Sequence, residues 1–154
     1  ACVDLWYTRH SYEENLKMTK DEVKDELRQS EGDPKVKQKQ RQKMMQMMAS
    51  RMMKEVPKAD VVVTNPTHYA VALRYDPTVS PAPYVVAKGV NKVAEKIKTI
   101  AREHSIPIRE NRPLARSLYA SVDIGQPIPE DLYKAVAAIL AEIWRMKGKM
   151  PGRP

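Results

Sequence analysis

Asp60-Val61-Val62-Val63-Thr64-Asn65-Pro66-Thr67-His68-Tyr69-Ala70-Val71-Ala72-Leu73-Arg74-Tyr75 is the stretch that decides the fold. Its first part, residues 60–64, is a β-branched run of the kind buried on both faces of a sheet. Its last part, residues 69–75, alternates and reads as a second strand. The residues between them must turn: Asn tolerates unusual backbone angles and Pro fixes φ at the next position. Outward from here, Pro77, Pro81 and Pro83 mark residues 76–83 as a loop, and Tyr84-Val85-Val86-Ala87-Lys88 is a third strand closed by Gly89. Val90, Val93, Ala94, Ile97, Ile100 and Ala101 share one face of a helix that ends near His104. Ile106-Pro107-Ile108 has room only for a short fourth strand, and Pro113 opens a brief helix through Leu114, Leu118 and Tyr119. Pro129 opens the last helix, whose Leu132, Val136, Ile139, Leu140 and Ile143 face inward as far as Lys147-Gly148. Strands interleaved with helices predict an α/β domain over residues 56–150, a small four-stranded sheet packed by helices.

Residues 1–55 have a different texture and are expected to form a long, basic, helical N-terminal extension. Between Pro34 and Lys54 stand Lys35, Lys37, Lys39, Arg41, Lys43, Arg51 and Lys54 with no acidic residue, nearly the whole formal net charge of +8. Thr19 with Glu22 predicts a capping box for a helix over residues 20–30. Asp33 then serves as N-cap and Pro34 as first residue of a second helix that runs to about Glu55. Met45, Met48 and Met52 share a face at i, i+3, i+7 spacing, with Met44 beside Met48. A basic amphipathic helix suits an anionic membrane surface or a partner groove; a solvated linker helix is the plainer alternative.

Composition excludes several classes. The single cysteine, Cys2, rules out an internal disulfide framework and any multi-cysteine zinc site. No apolar run approaches the ~18–20 residues that span a bilayer, so the chain is expected to be soluble. It begins with Ala where an initiator Met would stand, which reads as a piece of something longer. Phe is absent and Gly numbers five, which argues against an aromatic RNA-stacking sheet and against a Gly-rich phosphate loop. His10, His68 and His104 suggest no ligand spacing, and Ser117 has no His or acid near it in sequence. Neither a cofactor nor a metal is expected. Arg109, Arg112 and Arg116 form either a basic docking patch or a solvated surface.

Asn65-Pro66-Thr67-His68 supports two readings. One is an inert hairpin connection. The other follows from the chemistry of asparagine, whose side-chain amide nitrogen reaches its own main-chain carbonyl carbon and closes a five-membered succinimide. Expulsion of the Pro66 nitrogen then cuts the chain between Asn65 and Pro66. The usual competitor, deamidation, needs the N–H of the next residue, and Pro66 has none. An amide is a poor nucleophile, so a strained turn must hold it on the carbonyl while donors stabilise the oxyanion. His68 is placed either to move a proton or to brace the turn.

The stretch from Val61 to Leu73 resembles the signature of the FlhB/YscU family, the export-switch proteins of flagellar and injectisome type III secretion. The resemblance continues through Ala82-Pro83 with Val85-Val86-Ala87-Lys88-Gly89 and through Pro113-Leu114-Ala115-Arg116-Ser117-Leu118-Tyr119. It ends with Ile124-Gly125-Gln126-Pro127-Ile128-Pro129 and Leu132-Tyr133-Lys134-Ala135-Val136-Ala137. Ser30-Glu31-Gly32-Asp33-Pro34 and Val56-Pro57-Lys58-Ala59-Asp60 match as well and lean towards the flagellar branch. The resemblance implies a membrane domain ahead of this chain, in the bacterial inner membrane, with this part on its cytoplasmic face. It implies single-turnover self-cleavage at the bond matching Asn65-Pro66, with Thr67 and His68 completing the motif. Scission would accompany a switch in export specificity. The implied partners are other export-apparatus components, a length-control protein and the export substrates. Burial of Val61, Val62 and Val63 predicts that the cut pieces stay together and that a docking surface changes while the domain stays folded.

Two rivals stand beside this reading. The net charge suggests a basic nucleic-acid-binding module, although the excess sits in the extension and no base-stacking aromatics accompany it; no nucleic acid is therefore expected. The second rival is an inert structural linker domain in which Asn65-Pro66 is only a turn.

Overall fold

Apolar residues along three neighbouring strands alternate between two faces of one sheet, and each face is covered by helices. The structure, a computed structural model, describes residues 2–148. Residues 149 and 150, the end of the expected domain, lie outside the described residues, as does Ala1. The strands are β1 (Val61–Asn65), β2 (Tyr69–Arg74), β3 (Tyr84–Val90) and β4 (Ile108–Glu110), in the spatial order β3-β2-β1-β4. Pairing is antiparallel between β1 and β2 and between β2 and β3, and parallel between β1 and β4. The helices are α1 (Cys2–Glu31), α2 (Pro34–Glu55), α3 (Asn91–Glu103), α4 (Arg112–Ser121) and α5 (Glu130–Met146), with a 3-10 turn at Val56–Lys58.

Val61 and Val63, with Val71, Leu73 and Val85, face one way and pack against Leu114 and Leu118 of α4 and Val136, Leu140 and Ile143 of α5. Val62, Ala70, Ala72, Val86 and Ala87 face the other way, against Ala94, Ile97 and Ala101 of α3. Val86 and Ala87 share a side because the β2–β3 register shifts between Ala72 and Leu73, a bulge that adds a residue to β3. The α3 face of the sheet is paved with small residues, so that helix lies close. A Cβ on Gly89 would stand 2.2 Å from Val93 Cγ1 and 2.8 Å from Val93 Cβ.

Most elements fall where the sequence predicts them. The fourth strand starts two residues later than expected: the Pro107 carbonyl accepts from the Val62 N–H at 2.9 Å, and the ladder proper pairs Val62 with Ile108. The first helix is far longer than expected. It runs through Thr19, because no Gly or Pro interrupts residues 2–31 and a capping box offers a start without forbidding an earlier one. Asp33 caps α2 as predicted, its carboxylate accepting the Lys35 N–H at 2.9 Å. In the 76–83 loop the Thr78 hydroxyl and N–H, and more weakly Arg74, hold the Asp76 carboxyl below its usual pKa.

Packing divides the chain into compact units over residues 1–47 and 48–154. Met52 and Met53 at the end of α2, with the following Val56, join the sheet's α3-side core, which draws the helix end into the second unit. Met44, Met45, Met47 and Met48 are each more than half exposed. Lys37 and Arg41, seven residues before Met44 and Met48, lie on the same arc as those methionines, so charge and apolar surface are not segregated. Among the described residues no helix is long and apolar enough to cross a membrane.

Candidate functional site

The turn at Asn65-Pro66-Thr67-His68 joins two central strands. Asn65 ends β1 opposite Tyr69. The His68 N–H donates to the Asn65 carbonyl oxygen at 3.0 Å and closes a β-turn with Pro66 at its second position, where a fixed φ is favoured. That carbonyl belongs to the Asn65–Pro66 peptide bond. A donor aimed at it stabilises the charge that develops on the oxygen when a nucleophile adds to the carbon. Asn65 and Pro66 are half-buried, whereas Thr67 and His68 are exposed. The His68 ring turns to its neighbours: Nδ1 lies 2.5 Å from Thr67 Oγ1, and the ring centroid is 6.4 Å from that of Tyr69. What His68 gives the Asn65 carbonyl is its backbone N–H.

Three donors from elsewhere in the fold hold the rest of the turn. The Asn111 N–H donates to the Thr64 carbonyl at 3.0 Å, while the Asn111 side chain caps α4 by accepting the Leu114 N–H at 3.1 Å. Lys98 Nζ donates to the Pro66 carbonyl at 2.8 Å and to Glu95 Oε1 at 2.5 Å. The Asn91 N–H donates to the His68 carbonyl at 3.0 Å. The carbonyls of Thr64, Pro66 and His68 are thus held by donors from elsewhere in the fold, and that of Asn65 by the turn's own His68 N–H.

The sequence led us to expect a strained turn. Among the described residues other than glycine, left-handed φ occurs at Asn91 (48°) and Ser105 (57°). The turn itself therefore has no left-handed residue, and its shape is imposed by those hydrogen bonds. The strained residue, Asn91, lies across from it at the β3–α3 junction, and asparagine is among the side chains that adopt this conformation at least cost.

Asn91, Asn111 and Lys98 were not singled out from sequence, yet Lys98 carried a signal. It stands four residues after Ala94 and beside Ile97 on the buried face of α3, where the pattern asks for an apolar residue. An apolar cleft of about 420 Å³ was also missed. Tyr75, Pro83, Ala137, Leu140 and Trp144 line it, and the Tyr75 and Trp144 rings lie 5.8 Å apart. Its helical wall has a sequence signature, since Tyr133, Ala137, Leu140 and Trp144 are spaced four, three and four apart on α5. The arginine cluster is partly neutralised: Arg109 lies 3.3 Å from Glu142 and Arg112 lies 3.1 Å from Glu110, while Arg116 is exposed.

Comparison with known proteins agrees with this architecture. The flagellar biosynthetic protein FlhB of Bacillus subtilis is 53% identical over 150 residues, which cover 97% of this chain and 42% of that protein. The chain thus spans about two fifths of the length of that curated relative. The crystal structure of the cytoplasmic domain of FlhB from Shewanella putrefaciens aligns with a TM-score of 0.62 at 47% identity, covering 69% of this chain and 84% of that one. A mutated EscU C-terminal domain aligns with a TM-score of 0.58 at 36% identity, covering 60% of this chain and 92% of that one. The sequence pattern of the FlhB HrpN YscU SpaS family matches residues 1–143, and the chain belongs to that family.

Proposed function

We propose that this chain is the cytoplasmic part of a flagellar type III export component and that it cuts itself once, between Asn65 and Pro66, to change which substrates are exported. The observation that carries the reading is the hydrogen bond from the His68 N–H to the Asn65 carbonyl at 3.0 Å. In the reaction Asn65 Nδ2 adds to its own carbonyl carbon, and the bond to the Pro66 nitrogen breaks. One Nδ2 proton ends on that nitrogen, and the succinimide left at Asn65 is later opened by water. Asn65 is the nucleophile and Pro66 the leaving group, and Thr67 and His68 shape the turn. No separate substrate is turned over, so the activity is a single self-modification. Denaturing mass spectrometry of freshly purified protein should give masses for residues 1–65 and 66–154, and a single intact mass overturns the reading.

The proposed partners are the remaining export components, a length-control protein and the export substrates, met at the cytoplasmic face of the inner membrane. The apolar cleft beside Tyr75 and Trp144 supports docking of an apolar segment of an exported chain. Ala137 lines it and is exposed, so Ala137→Glu charges the cleft without disturbing the core. Pull-down of export substrates should fall by about tenfold or more, with melting unchanged; undiminished capture would remove the cleft from the reading. The basic run of α2 supports contact with an anionic membrane surface through charge alone. Liposome sedimentation of residues 1–58 tests this, and equal pelleting with anionic and neutral vesicles would eliminate it.

A further inference from the structure

We infer that Lys98 is a positioning residue for the cut, holding the leaving-group half of the Asn65–Pro66 bond through the Pro66 carbonyl. The inference rests on the self-cleavage proposed above. It starts from burial. Lys98 is 7% exposed, and the buried polar or charged residues among those described are Lys98 and Thr64. An ammonium is costly to bury, and at a position flanked by Ala94, Ile97 and Ala101 a Met or Leu side chain would pack without that cost. The charge is satisfied at two points. Glu95 one turn earlier accepts from it at 2.5 Å, and its other bond, at 2.8 Å, goes to the Pro66 carbonyl, 32 residues away in the chain. Glu95 is mostly solvated, with 62% of its side chain exposed, so the bond to Pro66 is the one that ties Lys98 into the fold.

That bond acts where cyclisation needs rigidity. The His68 N–H fixes the Asn65 carbonyl on one side of the bond to be broken. On the other side the pyrrolidine ring fixes φ of Pro66, and Lys98 fixes the orientation of its carbonyl and hence ψ. With both flanking carbonyls held, the freedom left in the reacting unit is in the Asn65 side chain, whose approach to the carbonyl carbon is the reaction itself. Removing Lys98 releases the proline side. The attacking and leaving groups then sample geometries in which addition is not followed by expulsion of nitrogen.

The test follows the appearance of residues 66–154 from the pulse-labelled full chain in cell-free synthesis, for the native sequence, Lys98→Met and Lys98→Arg. Cutting of Lys98→Met should be slower by about tenfold or more. Lys98→Arg, which still donates to a carbonyl, should stay within about threefold of native. Melting of the same substitutions in an Asn65→Ala chain separates rate from folding, and Asn65→Ala/Lys98→Met should melt cooperatively above the assay temperature. If native protein is cut and Lys98→Met keeps pace with it, or if Lys98→Met is slow only because the domain is unfolded, the role given to Lys98 is overturned. If the native chain itself yields no fragment, the cleavage reading falls and this inference with it.

Discussion

On the proposed self-cleavage, an Asn65→Ala chain is expected to stay whole while the native chain is cut, so that the fragments covering residues 1–65 and 66–154 are absent from its mass spectrum. The expected effect is all or nothing because the substitution removes the proposed nucleophile and leaves its surroundings in place. Asn65 sits at the end of β1, and its half-buried side chain is not part of either apolar cluster. The backbone hydrogen bond from His68 needs only the carbonyl of residue 65. The Asn65→Ala domain is therefore expected to fold with its turn intact, and this makes it the right background for stability measurements. Pro66→Ala should also suppress the cut, for a different reason. It returns an N–H to position 66, which opens attack on the Asn65 side chain, and it frees φ at the second turn position. Its signature is an uncut chain that slowly gains the mass shift of deamidation. An Asn65→Ala chain that still gave both fragments would mean that another group, or a contaminating protease, breaks the bond.

Gly89→Ala should cause a large loss of stability. The φ of Gly89 is not left-handed, so the difficulty is one of space: the new Cβ would meet Val93 Cγ1 at 2.2 Å, Val93 Cβ at 2.8 Å and the Val93 carbonyl carbon at 3.2 Å. A rotamer change moves the first of these atoms and leaves the other two. Helix α3 must shift away from β3, and overpacking of this kind costs about 1–3 kcal/mol, or roughly 5–20 °C in melting temperature for a domain of this size. Thermal melting in the Asn65→Ala background reads it directly. Trimming the obstacle in Gly89→Ala/Val93→Ala should recover part of the loss. The displaced helix also carries Asn91 and Lys98, whose bonds hold the His68 and Pro66 carbonyls, so cutting should slow as well. Melting within a degree or so of native would show that the sheet and helix have slack there.

What could be read from the sequence was what local pattern controls. Val61-Val62-Val63 announces a strand buried on both faces, and it is one, with both faces covered by helices. Asn65-Pro66 announces a turn, and the donor to its carbonyl is only three residues away, so the central contact of the site is local too. The other three donors come from the β3–α3 junction, the interior of α3 and the start of α4, and no spacing rule brings Asn91, Lys98 and Asn111 to one turn. The cleft is non-local in the same sense, since it needs the end of β2, a proline loop and α5 to meet. The misjudged start of α1 has another cause: a capping box marks where a helix is able to begin, and a stretch without Gly or Pro carries it further back.

Strand β1 lies inside the sheet, with β2 on one side and β4 on the other. Its Val61, Val62 and Val63 are fully buried, each stabilising the fold by about 1.5–3 kcal/mol. A break at its C-terminal end turns one polypeptide into two, the shorter running through the middle of the longer one's fold. Folding of the unbroken chain is unimolecular and indifferent to dilution. For the broken pair, separation and unfolding become one event, and mass action enters. The effective concentration that the peptide bond supplied is gone, so dilution destabilises the pair and slows its reassembly. The proposed scission of a single bond would thus give the domain a direction in time: the assembled form would persist, but a copy that came apart in dilute solution would not readily return.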